Sequence, residues 1–499
     1  MDLIDNLTLG LSVAIQPINL LWCFVGVFLG TLIGVLPGIG PMATISMLLP
    51  LTYGLTPASS LIMLAGIFYG AQYGGSTTAI LVNLPGEASS TVTMIDGYLM
   101  ARRGRAGPAL AAAAISSFFA GTVTTVLIAV VAMPLTALAL SFGPAEYFSL
   151  ITVGLVSSIA LASGSVVKAM GMILCGLLLG LTGTDIYAGQ QRFTFGNENL
   201  LDGIDFVALS VGVFGIAEIL RNLEQGEVGA TGVAGLSSLW PSRDDMRRMT
   251  APMIRGTAIG SLIGVLPGGG ALLASFVSYN VEKKVSPNAA EFGAGAIEGV
   301  AAPEAANNAA AQASFIPMLS LGLPASPIMA LMVGAMTIHG VSPGPEVISK
   351  RPELFWGLIA SMWVGNVMLV ILNLPLIGIW VRLLRVPYQM LFPAIVIFCC
   401  IGVYSVSNSA FGLYLVVFSG FVGYVLSKFG CEWAPFFLGF VLGPLFEHQL
   451  RRAMLISGGD PTVFFTRPIS AGLLLVAALF LVAVAMPIFK KKRESIFVE

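Results

Sequence analysis

The sequence predicts an all-α polytopic integral membrane protein of about twelve transmembrane helices, with broken or re-entrant segments and an internal repeat expected to be inverted. Three observations carry that expectation. Charged residues make up 10% of the 499-residue chain and hydrophobic residues 56%, with a mean hydropathy of +0.91, whereas soluble domains are about 25% charged. The charges are also unevenly spaced: none falls between Asp5 and Glu87, and further uncharged runs cover 106–145, 305–345 apart from His339, 386–427 and 468–489. About 20 apolar residues cross a bilayer as a helix, so each run holds one or two spans. Finally, residues 30–40 read GTLIGVLPGIG and residues 260–270 read GSLIGVLPGGG, nine identities in eleven at an offset of 230. Composition excludes a soluble enzyme, a nucleic-acid binder and a secreted disulfide scaffold, and 24 basic against 25 acidic residues say nothing further about partners.

Charge-free apolar stretches bounded by Pro, Gly or charge place spans near 18–36, 58–82, 108–132, 145–162, 166–183, 204–220, 254–266, 313–338, 354–381, 388–406, 411–428, 433–447 and 470–489. The pieces 38–55 and 268–282 are too broken by Pro and Gly, or too short, for full spans and read as half-helices. The start, MDLIDN, is acidic and lacks the basic region of a cleavable signal peptide, so the first helix is expected to be retained. At the other end, 470–489 runs into Lys490, Lys491, Lys492 and Arg493. The positive-inside rule puts that C-terminus in the cytoplasm, with Arg102, Arg103 and Arg105 on the same side. The five cysteines lack paired spacing and read as small core residues, and two histidines cannot make a histidine metal site.

The repeat divides the chain into a first half over 1–220, a polar linker over 221–250 with eight charges, a second half over 251–460, and a C-terminal helix with its basic tail over 461–499. No Lys or Arg precedes Arg102, whereas Arg243, Arg247, Arg248, Arg255, Lys283 and Lys284 surround the second motif copy. By charge bias the two copies open toward opposite faces, although Lys350-Arg351 fits that less well. A weaker correspondence follows each copy: Asn83-Leu84-Pro85-Gly86 answers Gly322-Leu323-Pro324-Ala325, which leads into Ser326.

Pro37 and Pro267 each remove a backbone donor, and Gly38, Gly40, Gly268, Gly269 and Gly270 permit close backbone approach. Unwound backbone at membrane depth is tolerated only where protein or a wet cavity satisfies it. Paired breaks at matching positions of two halves therefore point to a transporter binding site. Helix kinks for packing are the plain alternative, weakened by the recurrence.

Two polar stripes accompany the breaks. Tyr69, Gln72, Tyr73, Ser76 and Thr77 share one helix face, with Gly74 and Gly75 between them, and suit carboxylate or ion recognition without fixed charge; hydrogen bonding between packed helices uses the same residue types. Between Gly293 and Ser314 the chain has ten alanines, two branched aliphatics and no basic residue. From Pro303, Glu304, Asn308 and Gln312 recur every four positions with Asn307 alongside. An acid in such a segment is a functional candidate, and Glu304, Asn307 and Asn308 are the expected ligands of a coupling Na⁺, a proton being the other option. Glu298 joins them as a candidate. An aqueous loop with solvated carboxylates is the competing reading for both acids.

The duplicated LIGVLPG motifs, the YGGS and NLPGE run, PEAANNA and GLPAS together resemble the large permease subunit of tripartite tricarboxylate transporters, the TctA family, over nearly the whole chain. The resemblance implies a bacterial inner-membrane permease of about twelve helices that imports citrate-like or other small carboxylates on an ion gradient, commonly Na⁺, without ATP. It implies two partners, a small four-helix membrane subunit and a periplasmic substrate-binding protein, and no cofactor beyond the coupling ion. Family site residues map to Gly38, Gly40, Tyr73, Gly74, Gly75, Ser76, Pro303, Glu304, Asn307 and Asn308; Ala325 departs from the Gly that often follows the Leu-Pro pair. Independently, the chain has no Walker A sequence, and lacks the HExxH helix, Asp-rich motif or Ser/His pair that a membrane-embedded enzyme would need. A passive channel is the other rival.

Overall fold

Prolines set many of the helix starts. The computed structural model describes residues 3–36, 40–161, 165–225, 239–268, 270–383 and 388–485. Before the polar linker it contains α1 (Leu3–Ala14), α2 (Pro17–Val35), α3 (Pro41–Leu48), α4 (Pro57–Val82), α5 (Thr91–Met100), α6 (Ala106–Leu140), α7 (Pro144–Leu161) and α8 (Val166–Gly180). A two-stranded antiparallel hairpin follows, β1 (Gly183–Thr184) with β2 (Gln191–Arg192), Gly183 facing Arg192. Then α9 (Phe206–Ser210) runs through a π-helical turn into α10 (Ala217–Gln225). After the linker come α11 (Arg243–Val265), α12 (Gly270–Val285), α13 (Glu298–Ala313), α14 (Phe315–Leu321), α15 (Pro327–Ile338), α16 (Pro345–Lys350) and α17 (Pro352–Asn373). The chain ends with α18 (Ile377–Leu383), α19 (Tyr388–Ser407), α20 (Ala410–Lys428), α21 (Trp433–Ile456), α22 (Val463–Thr466) and α23 (Pro468–Ala485).

Pro17, Pro41, Pro57, Pro327, Pro345 and Pro352 each occupy a first helical position, where the missing N–H costs nothing and the fixed φ suits a helix. Thr56 caps α4 by accepting from the Ser59 N–H at 3.2 Å. The two Leu-Pro loops end their helices in the same way. Asn83 closes α4 at φ 59° and Gly322 closes α14 at φ 74°, and Asn and Gly are the residues that enter the left-handed region at least cost.

The mostly helical, multi-pass membrane architecture agrees with the sequence. Five described runs are long and apolar enough to cross a bilayer: Pro17–Val35, Ala88–Leu140, Phe206–Glu224, Pro352–Asn373 and Ala410–Lys428. Large apolar side chains on them face outward, among them Leu21, Val130, Ile371, Val417 and Phe421. By contrast α4 is buried on every face from Ser59 to Val82, and α13 from end to end. These two alanine-, glycine- and hydroxyl-rich helices form the interior, shielded from lipid by their neighbours.

Several expected boundaries move. The 313–338 span is two helices, because the loop through Gly322, Leu323, Pro324 and Ala325 breaks it between α14 and α15. The 354–381 span ends at Asn373, and α18 follows a turn. Within the 38–55 piece lies the eight-residue α3 followed by a 3-10 turn, and residues 270–282 of the 268–282 piece fall in the sixteen-residue α12. The polar linker is partly helical: α10 runs into it and α11 starts at Arg243, eleven residues before the expected span. Asp245 exchanges capping hydrogen bonds with Ser242 and pairs with Arg105 at 2.5 Å. Residues 226–238 of the linker and Lys490 to Arg493 lie outside the described residues.

The repeat has a packing counterpart. Gly26, Gly30 and Gly34 on α2 lie against α4, and Gly256, Gly260 and Gly264, each 230 positions later, lie on α11 against α13. A Cβ on Gly30 would sit 2.4 Å from the Ile67 carbonyl oxygen, and one on Gly260 would sit 2.2 Å from that of Ala306. Only glycine lets these backbones approach so closely, the small-residue mode of helix association in membranes.

A second group of helices, α7, α8, α21 and α23, packs beside this core. Its apolar cluster of Ile151, Leu155, Ile159, Ile173 and Leu442 takes in Leu323 from the α14–α15 loop.

Candidate functional site

Glu304 sits on α13, fully buried, at a junction of helices from both sides of the linker. Its Oε1 accepts from the Ser76 hydroxyl of α4 at 2.7 Å and from the Thr93 hydroxyl of α5. Among the described residues its Oε2 accepts from Ser117 Oγ of α6 at 3.3 Å, and the Asn307 side chain also comes within hydrogen-bonding reach of the carboxylate. Among the described residues no basic group reaches it. The other buried glutamates are different: Glu146 pairs with Arg467 at 2.6 Å, Glu282 with Arg255 at 2.6 Å, and Glu298 with Arg248 at 2.8 Å. A buried carboxylate without a counter-charge is costly, and three of the four avoid that cost with an arginine.

Asn308, one turn along α13, donates from Nδ2 to Ser117 Oγ at 2.7 Å, to the Glu304 carbonyl at 3.1 Å and to Asn307 Oδ1 at 2.5 Å. Two of those acceptors are carbonyls, which fixes the amide orientation and leaves Asn308 Oδ1 buried without a donor. Another turn on, Gln312 Oε1 accepts from Thr125 of α6 at 2.6 Å. The stripe Glu304, Asn308, Gln312, spaced every four residues, is thus met by an equally spaced stripe on α6, Ser117, Gly121 and Thr125.

Beside Glu304 lies a small cavity of about 10 Å³ for the centre of a water-sized occupant, on the order of what one water needs. Its polar lining comes from Tyr73, Ser76 and Thr77 of α4, Ser117 of α6, Glu304 of α13 and Asn373 at the end of α17, with Leu110, Ala113 and Ala114 as an apolar wall. Tyr73 OH and Asn373 Oδ1 are buried and meet no hydrogen-bond partner.

The structure therefore brings Tyr73, Ser76, Thr77 and Glu304 together, with Asn307 beside the Glu304 carboxylate and Asn308 behind Ser117. It adds Thr93, Ser117 and Asn373, which the sequence reading missed. The only signal for Ser117 was its four-residue spacing to Gly121 and Thr125 within an apolar span. Glu298 does not join the cluster; Arg248 and Asn288 hold it. Gly74 carries the approach of α2, its added Cβ falling 2.3 Å from the Thr31 carbonyl oxygen, and Gly75 lies against the Glu87 turn.

The breaks fall nearby in the chain. Pro37, Gly38 and Gly269 are outside the described residues. Gly40 and Gly270 flank the starts of α3 and α12, and a Cβ on either would meet nothing within 4 Å. After Pro267, Gly268 at φ 83° donates its N–H to the Ala325 carbonyl at 2.8 Å, tying the second break to the loop around Pro324. In the first copy Gly86, after Pro85, packs on the Gly34 carbonyl. Asn83 is exposed, and Ser326 caps α15 through Met329 N–H at 3.3 Å. In both copies the Leu-Pro loop thus leans on the segment next to its break.

Residues 20–438 match the Tripartite tricarboxylate transporter TctA family. The chain is 61% identical over all its 499 residues to an uncharacterized 52.8 kDa protein in the TAR-I ttuC' 3' region of Agrobacterium vitis, covering 99% of that protein. It is 62% identical over 240 residues, 48% of this chain, to 99% of an uncharacterized protein in the TAR-II ttuC' 3' region of the same organism. No solved structure matches the chain.

Proposed function

Because the chain belongs to the tripartite tricarboxylate transporter TctA family, we propose that it is the large permease subunit of a binding-protein-dependent secondary transporter. It imports small carboxylates across the bacterial inner membrane on a Na⁺ or proton gradient, with its C-terminus in the cytoplasm. Its partners in this reading are a small four-helix membrane subunit and a periplasmic substrate-binding protein.

The observation that supports energy coupling is Glu304. The three other buried glutamates, Glu146, Glu282 and Glu298, are each paired with an arginine, and the buried Asp96 has both its oxygens engaged by four hydrogen bonds. Glu304 instead keeps hydroxyl partners on three helices and an underused oxygen, the condition in which a site can gain and lose a positive charge. The two break-and-loop arrangements support an inverted pair of half-helices whose backbone ends receive the substrate carboxylates. The cavity at Glu304 is too small for a tricarboxylate, so substrate and coupling ion occupy different places.

The test is uptake by proteoliposomes containing the large and small subunits, with candidate di- and tricarboxylates, with and without the binding protein, under imposed Na⁺ or proton gradients. Accumulation is expected only when a gradient and the binding protein are both present. Equilibration that ignores the gradient would mean a passive channel instead.

A further inference from the structure

We propose that the cavity beside Glu304 is a binding site for one small monovalent cation, held by the Glu304 carboxylate, Tyr73 OH and Asn373 Oδ1, with the Thr77 and Ser117 hydroxyls completing the shell. The proposal deepens the transporter reading and rests on it only for what the cation does, not for whether it binds.

The lining selects the ligand class. Every polar side chain at the cavity presents oxygen: a carboxylate, a phenol, three hydroxyls and an amide whose nitrogen is engaged elsewhere. Asn373 Nδ2 donates to the Leu369 carbonyl at 3.0 Å, so it is the oxygen that is left over. Oxygen-only surroundings with one negative charge repel an anion and suit a hard cation. The single carboxylate limits the charge, because divalent sites in proteins gather several acids or retain several waters. Among the described residues no group of three His, Cys, Asp or Glu side chains is placed to hold a metal ion, and the cavity has no space for a hydrated ion.

Three of these oxygens belong to residues that line the cavity and are short of partners. Tyr73 OH and Asn373 Oδ1 are both at least nine-tenths buried and have no hydrogen-bond partner among the described residues. Glu304 Oε2 has one long hydrogen bond, whereas Oε1 has two. Buried polar atoms are nearly always satisfied, and one cation satisfies all three while neutralising the carboxylate. A water molecule could meet the oxygens but would leave the charge. The ligand set differs from the sequence expectation: Asn308 stands behind Ser117 and holds it, and Asn373, 65 residues further along, takes the place expected for an asparagine of α13.

The test uses the purified full-length chain in detergent, with sodium as the probe and choline chloride holding ionic strength constant. Thermal unfolding is followed against Na⁺ concentration at two pH values. The midpoint is expected to rise saturably with Na⁺ and not with choline. Asn373→Leu and Tyr73→Phe are expected to raise the half-saturating Na⁺ concentration about tenfold each, as loss of one ligand implies, and Glu304→Gln to abolish the response. Equal stabilisation by choline, a response that tracks pH instead of Na⁺, or an undiminished Na⁺ response in both Asn373→Leu and Tyr73→Phe would overturn the site. Should Glu304→Gln fail to fold, those two variants decide the matter. A wild type stabilised by Na⁺ whose uptake ignores the Na⁺ gradient would sink the coupling and leave the site. Na⁺-driven uptake without the stabilisation would do the reverse.

Discussion

Asn308 reaches the Glu304 carboxylate through Ser117, donating to the hydroxyl that then donates to Oε2. Removing that amide frees Ser117 to rotate, which costs about one hydrogen bond, ~0.5–1.5 kcal/mol. Asn308→Ala is therefore expected to raise the ion concentration for half-maximal uptake about 3- to 10-fold, with little change in maximal rate. Initial uptake rates against Na⁺ at fixed substrate check this; a collapse of maximal rate would give Asn308 a different role. The PEAANN residues were legible in the sequence because an acid and two amides at helical spacing are rare among ten alanines. Ser117 and Asn373 were not, because a lone Ser or Asn in an apolar span usually serves interhelical bonding, and only their shared cavity distinguishes them.

Outside the membrane segments, Asp185 shows the opposite treatment of a carboxylate. The Tyr187 N–H, and then the guanidiniums of Arg192 and Arg451, pull its pKa down from 3.8 to about 2. Because the folded value is the lower one, its contribution to stability is complete above the unfolded pKa and is lost as pH falls through about 2. Asp185→Asn should lower the unfolding midpoint at neutral pH and flatten its acid limb between pH 4 and 2, so that the two proteins converge as pH falls to about 2. An identical acid limb in both proteins would show that the hairpin is held by other means.

At the scale of elements, the glycine rows make a sharper claim. An alanine methyl at Gly260 would sit 2.2 Å from a backbone oxygen of α13, and backbone inside a buried helix cannot yield as a side-chain tip can. Gly260→Ala should therefore destabilise by about 1–3 kcal/mol, as overpacking does. Gly171→Ala, on the exposed face of α8 with nothing within 4 Å, should be neutral or stabilising by up to about 1 kcal/mol through helix propensity. Thermal unfolding of the two variants in detergent separates these effects, and equal midpoints would remove the close-packing argument. Hydropathy found the lipid-facing helices because those must be apolar around most of their circumference. It served the interior less well: α13 and α4 face only protein, so their sequences answer to packing and polarity. The join of α14 and α15 was misread because flanking apolar residues outweigh a four-residue loop in any long window.

Across the whole molecule, spatial grouping departs from chain order. The helices α7 and α8, from before the linker, pack with α21 and α23 from the far end, while α6 and α17 close around α4 and α13. The sequence repeat predicted which segments resemble each other, and the two glycine contacts at an offset of 230 give that likeness a physical form. It could not predict which helices from opposite ends would meet, since that depends on apolar faces with no distinguishing pattern.

One clasp joins the chain before the linker to the chain after it close to Glu304. Asp96 on α5 accepts through Oδ1 from the backbone N–H groups of Gly293, Gly295 and Ala296, at 2.7–3.0 Å, and through Oδ2 from Tyr279 OH at 2.9 Å. Hydrogen bonds to a carboxylate contribute ~1.5–3 kcal/mol each, so parting α5 from both α12, which carries Tyr279, and the turn that leads into α13 would forfeit on the order of 6–12 kcal/mol. A conformer that far uphill would be populated at less than about one part in 10⁴, too seldom to serve as a doorway. In the proposed transporter, an ion bound for Glu304 would then have to enter from another side of the cavity, such as the wall that α6 builds from Leu110, Ala113 and Ala114.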